Sequence, residues 1–181
     1  MDRLPRVSIS PGSYRLGPDN GTLTVRTGRT GAVAKAGHDL LLEVTSWSAT
    51  LDAGEPTAIE LTADATSLKV REGTGGMQAL DDGDRANIEQ TVDDEVLRRE
   101  PIAFRSTEVT GTADGLSVQG ELTLLGTTRP VAFDVAVADG RVHAVAVVRQ
   151  TDFGMKPYSA LFGALKVADE VKVAIDAELS I

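Results

Sequence analysis

The stretch from Gly120 to Val137 constrains the fold more than any other, because it holds two alternating apolar segments around a short polar connection. Successive side chains of a strand point to opposite faces, so Leu122 and Leu124 share one face of the first segment. Val131, Phe133, Val135 and Val137 share one face of the second. The pair reads as a β-hairpin. A four-residue loop, Gly126 to Arg129, built around a type I turn, would pair Leu124 with Val131 and Leu122 with Phe133. A five-residue loop would oppose the leucines to Ala132 and Asp134 and invert a face. The even loop is therefore expected, with Pro130 opening its strand, where a missing N–H is tolerated. Plain sheet core would give the same alternation.

Elsewhere, strands follow at the spacing of an all-β sandwich or barrel. Thr22 to Arg26 alternates after Asn20-Gly21. Leu40, Leu42 and Val44 point one way, whereas Trp47, Ala49 and Leu51 fall on the other parity, which predicts a bulge or bend at Thr45-Ser46. A similar phase change predicts another near Thr66. Strands are expected over 102–110, 116–125, 131–138, 141–150 and 171–181, with Asp139-Gly140 a two-residue hairpin turn. A single helix is expected over 84–98, outside the barrel. Asp84 would cap it, Ile88, Val92 and Val96 would form its apolar stripe, and Pro101 would stop it.

Composition narrows the function. The chain has 181 residues, one domain's length, and a formal net charge of −9, which disfavours nucleic acid and anionic membrane surfaces. No apolar window reaches the ~18 residues of a transmembrane segment. With Met1 as the start, no apolar leader precedes Pro11, and a cytoplasmic location is expected; residues 1–12 read as a loose lead. There is no cysteine and there are two histidines, so no thiolate, disulfide or three-His zinc site can be built. No Gly-x-Ser-x-Gly elbow occurs. Gly73-Thr74-Gly75-Gly76 lacks the lysine of a phosphate-binding loop, Asp81 to Asp84 fails the calcium-loop pattern, and Asp152-Phe153-Gly154 stands without the other kinase motifs. His38-Asp39 is the one adjacent His/acid pair, but neighbours on a strand face opposite ways, so Asp39 is poorly placed to orient His38. No catalytic residue, metal or cofactor is assigned.

Gly120-Glu121-Leu122-Thr123-Leu124-Leu125-Gly126-Thr127-Thr128-Arg129-Pro130-Val131 resembles the "G-x-L-T-i-x-G-v-T-k/r-P-V" hairpin of the YceI-like family. Pro101 to Ser106 is similar to its "P-x-i-x-F-x-S" strand. Thr151-Asp152-Phe153-Gly154 with Ala168-Asp169-Glu170-Val171 is similar to its "s-D-F-G … g-D-e-V" ending. The resemblance covers 101–179 well and the first half loosely. It implies an all-β, antiparallel lipocalin-like β-barrel of about eight strands with one inserted helix. It also implies an apolar interior that holds an isoprenoid or other long-chain lipid without covalent bonds, as carrier or sequestering protein. The first strand departs from the family's Val-Arg-His, ending Val25-Arg26-Thr27, so the apolar lining carries over and a head-group site does not.

The candidate ligand-contacting residues are His38, Leu40, Leu42, Val44, Trp47, Phe104, Leu122, Leu124, Phe133, Phe153, Tyr158, Leu161 and Phe162. His38, Arg105, Lys156 and Tyr158 are the polar groups expected at the mouth. The apolar loop 152–167 is expected to act as a lid. Two alternatives stand beside this reading. One is a lipid-modifying enzyme of the same fold using His38. The other is a ligand-free β-domain acting as an interaction module, a homodimer through an exposed sheet edge among its forms.

Overall fold

The computed structural model describes residues 9–31, 38–75, 79–160 and 165–179. Its strands are β1 (Ser13–Leu16), β2 (Gly21–Arg26), β3 (Arg29–Thr30), β4 (His38–Val44), β5 (Trp47–Asp52), β6 (Ala58–Ala63) and β7 (Leu68–Gly75). After the helix α1 (Asp82–Thr91) come β8 (Ile102–Gly111), β9 (Gly115–Leu124), β10 (Thr127–Ala138) and β11 (Arg141–Arg149). The last three are β12 (Ser159–Ala160), β13 (Leu165–Val167) and β14 (Glu170–Glu178). Eleven of them form one curled antiparallel sheet in the order β1-β5-β6-β8-β9-β10-β11-β14-β2-β4-β7, while β12, β13 and β3 make a small second sheet.

Eleven segments are more than the eight strands expected, and the excess has a simple origin. β1 and β2 both pair with the continuous run of β4 and β5, so they are one strand interrupted at 17–20. β4/β5 and β6/β7 are likewise one long hairpin, broken at Thr45-Ser46 and at the turn Ala65–Ser67. Hydrogen bonds Thr45 N to Ser67 O (2.9 Å) and Asp64 N to Ser46 O (3.0 Å) carry the ladder across that break. Three of the eleven segments are thus continuations, and eight strands remain. The bends fall where the changes of parity place them. The segments β1 and β7 each keep one flank without a strand partner among the described residues.

The hairpin of β9 and β10 corrects the expected register. Leu124 pairs with Thr127, Leu122 with Arg129, and Phe133 with Val118. The loop is only Leu125-Gly126, both left-handed with φ of 49° and 71°. Such a two-residue turn matches the twist of the strands, whereas a leucine there costs about 1–2 kcal/mol and gives no signal in the sequence. The shift is four residues, an even number, so Phe133 and Val135 keep the expected face. Pro130 sits inside β10, not at its start, opposite Glu121. Alternating outward from the turn, that is a non-hydrogen-bonded pair, and β11 joins β10 only from Val135 onward, so no ladder bond is lost. The second hairpin turn, Asp139-Gly140, forms as expected, with φ of 52° and 72°.

The helix also differs from expectation. Asp81, not Asp84, is its N-cap; its carboxylate accepts from Asp84 N, and Asp84 answers by accepting from Asp81 N. Beyond Thr91 the turn widens over Val92–Val96, with Leu97 N reaching Val92 O. Arg98 and Arg99 are left-handed and end it before Pro101. It is no appendage outside the barrel. It lies on the free edge of β7, where Val70 N donates to Glu89 Oε1 at 3.1 Å, and turns Ile88, Val92 and Val96 inward.

Candidate ligand-binding cavity

The inner face of the wall does not close on itself. Leu122, Val131, Phe133, Val173 and Ile175 share the inward parity of their strands, yet they remain only half-buried. Their surface is turned to an internal void of about 450 Å³. Small residues leave this space: Ala49, Ala63, Ala144 and Ala146 stand on the lining where larger side chains would meet across the barrel. Phe104 and Phe133 both line it and pack against each other on the same stretch of wall, ring centres 5.4 Å apart and planes inclined by 53°. Gly120 makes room for this, because a Cβ there would stand 2.5 Å from the Phe104 ring and 2.6 Å from Arg105 O.

Seven of the candidate residues line the void: Leu40, Val44, Phe104, Leu122, Leu124, Phe133 and Tyr158. Leu42, Trp47 and Phe153 are buried in the surrounding core without reaching it; Trp47 sits at the bend, Phe153 in the turn after β11, and Leu42 where the register between β4 and β7 shifts. His38 starts β4 opposite Gly75 and lies off the lining. Leu161 and Phe162 fall outside the described residues. Arg105 follows inward Phe104, so it points outward, 4.0 Å from Glu121. Lys156 is exposed and off the lining. The expected loop 152–167 carries a short 3-10 turn over Gln150–Phe153 and the strands β12 and β13, with Met155, Tyr158 and Val167 on the void.

The wall has contributors that were not singled out from the sequence, chiefly the helix stripe and the inner faces of β11 and β14. Parity gives the signal for one of them: Val142, Ala144, Ala146 and Val148 face in, and Gln150 continues the series. No Asp, Glu, Lys, Arg or His stands among the described lining residues; the polar ones are Thr27, Thr50, Asn87, Thr91, Gln150 and Tyr158. Tyr158, 48% exposed, marks where the void meets solvent. The titrating groups with shifted behaviour lie elsewhere. Two hydrogen bonds from Thr151 hold the Asp169 carboxyl below its ordinary range, and burial raises that of Asp93 on the helix. His143 and Asp176 touch at 2.6 Å, but both are half-exposed on the outer wall.

An antiparallel wall curled around an uncharged apolar chamber, with one helix in the wall, defines a lipocalin-like binding barrel. A model of the YceI-like domain matches residues 14–179. The chain belongs to the YceI-like family, known for barrels that bind isoprenoids and other lipids. The fold is similar to the crystal structure of Burkholderia cenocepacia BcnA, with a TM-score of 0.60, 15% identity, and 88% of this chain and 96% of that one covered. It is also similar to the Campylobacter jejuni YCEI protein, with a TM-score of 0.52, 14% identity and coverage of 77% and 85%. No curated protein sequence matches. Among the described residues, no helix is long and apolar enough to cross a membrane.

Proposed function

We propose that the protein binds one long apolar molecule, an isoprenoid or related lipid, inside the barrel and carries or sequesters it without chemical change. The observation that supports this is the 450 Å³ void lined almost wholly by apolar side chains. Its size falls in the range of about 300–1,000 Å³ typical of small-molecule sites. At roughly 30 Å³ per water-sized group, it accommodates a chain of about fifteen carbons, so a longer one projects past Tyr158. Burial of apolar surface supplies the affinity, at about 25 cal/mol per Å².

The binding reading is favoured over the enzymatic one because His38 lies off the lining, where no general base would reach a molecule in the chamber. Seven of the candidate residues are proposed as contacts: Leu40, Val44, Phe104, Leu122, Leu124, Phe133 and Tyr158. Native mass spectrometry of protein purified from its own host, followed by solvent extraction, tests the proposal. A bound apolar molecule at a one-to-one ratio is expected. An empty protein that also fails to take up added farnesol, a fifteen-carbon alcohol, refutes it.

A further inference from the structure

Gln150 is the one polar residue of the lining that is almost wholly buried, at 5% exposure. Its backbone is fixed on both sides: its N–H donates to Asp169 O at 2.9 Å and its carbonyl accepts from Met155 N at 3.2 Å. Thr151 secures the same turn, giving its N–H to Asp169 Oδ1 at 2.8 Å and its hydroxyl to Oδ2 at 2.7 Å. The side-chain amide is oriented as well. Nε2 donates to Ala168 O at 3.1 Å, and since a carbonyl only accepts, the nitrogen must face Ala168. Oε1 is left as the opposite end of the amide, with no partner among the described residues.

The neighbours belong to the same end of the chamber. Ala168 N donates to Gly28 O and Val167 N to Tyr158 O, both at 2.9 Å, which gathers Thr27, Gln150 and Tyr158 around the mouth. Thr27 Oγ1 accepts from Leu40 N at 3.1 Å and keeps its own hydroxyl proton to give.

Resting on the reading of the chamber as a lipid site, we infer that this end is a head-group subsite for a neutral hydrogen-bond donor, a long-chain alcohol whose hydroxyl donates to Gln150 Oε1. A bare acceptor in an apolar wall is satisfied by water in the free protein. A ligand that displaces that water without bringing a donor loses affinity, by about tenfold. A carboxylate or phosphate head would bring only more acceptors, with no cation among the described lining residues to neutralise it. The amide is held before the ligand arrives, so little ordering is left to cost.

The test compares farnesol with farnesyl methyl ether, the same chain without the donor, binding to the whole chain and to Gln150→Met by titration calorimetry. The wild type is expected to bind the alcohol about tenfold more tightly than the ether. In Gln150→Met the alcohol should fall to the level of the ether, with the ether unchanged. Equal binding of the two probes by the wild type overturns the inference while leaving the lipid site intact, and it does so even if the variant fails to fold. Equal weakening of both probes in a folded variant reduces Gln150 to a structural part of the wall and also overturns it. Binding of neither probe by the wild type removes the lipid site itself.

Discussion

If the chamber is truly unfilled, enlarging a wall residue into it should stabilise the empty protein. Ala146 is the most direct place to ask. It stands on β11 opposite Val173, faces the void, and is only half-buried although it points inward. Ala146→Leu adds three carbons, worth about 0.8 kcal/mol each when fully buried. Ordering the leucine side chain takes back about 0.5–1 kcal/mol. The net gain should be about 1.5 kcal/mol, seen as a higher urea midpoint with an unchanged slope and a Tm higher by about 3–6 °C. The same side chain occupies about a fifth of the chamber, so farnesol should bind at least tenfold more weakly. In a solid core, the extra carbons would overpack the barrel and cost about 1–3 kcal/mol. A lower midpoint of that size, with the slope unchanged, would therefore refute the existence of the void.

Other substitutions read the same wall from different sides. Phe133→Ala should cost less than the ~3–5 kcal/mol of a packed phenylalanine, because one face of the ring already borders space, while farnesol affinity falls; a urea midpoint showing the full loss would make Phe133 solid core. Gly120→Ala drives a methyl into the Phe104 ring and Arg105 O and should cost about 1–3 kcal/mol; an unchanged midpoint would mean that Phe104 is free to swing away. Asp93 carries a raised pKa, chiefly from burial, and its Oδ1 is buried with no hydrogen-bond partner among the described residues. The folded form therefore holds the proton more readily than the unfolded chain, and stability declines as pH rises from the ordinary aspartate range through the raised value. Asp93→Asn should be more stable than wild type at neutral pH, with the difference shrinking in urea melts as pH falls into that window; a constant difference would refute the cause. Asp169 has the opposite sign: its carboxylate, held below the ordinary range by Thr151, stabilises the turn above that range and releases it as pH falls through the lowered value, which amide exchange at Thr151 will report.

The elements legible in the sequence were those decided locally. Asp139-Gly140 announces a left-handed turn because both residues tolerate positive φ. The parity changes at Thr45-Ser46 and Thr66 mark bends because period-two alternation cannot survive one. Leu125-Gly126 stayed hidden, since leucine is a poor residue for the conformation it adopts and tertiary packing holds it there. The register error was still harmless to the site, because an even slip moves partners without exchanging faces. For the helix, the stripe of Ile88, Val92 and Val96 was readable but not the surface it meets, which depends on β7 having no strand on its second flank among the described residues. Trp47 shows the limit of parity from the other direction: an apolar inward residue need not reach the chamber when the strand bends beneath it. Gln150 was passed over because a lone polar residue at a strand end resembles a solvated one.

The free flank of β7 bears on how copies of this protein meet one another. A strand with open donors and acceptors is a template on which another chain can add. Here the Val70 N–H is already given to a carboxylate that Lys69 also approaches, with Glu89 Oε2 3.8 Å from its ammonium. An incoming strand would have to evict a charged group and leave it in need of water, an exchange that favours staying apart. The opposite edge, β1, is only four residues long and offers little to extend. The helix that walls the chamber thus also covers this stretch of edge, and loss of Glu89 is expected to be felt first in concentrated solution as association, well before any change in the fold of a single chain.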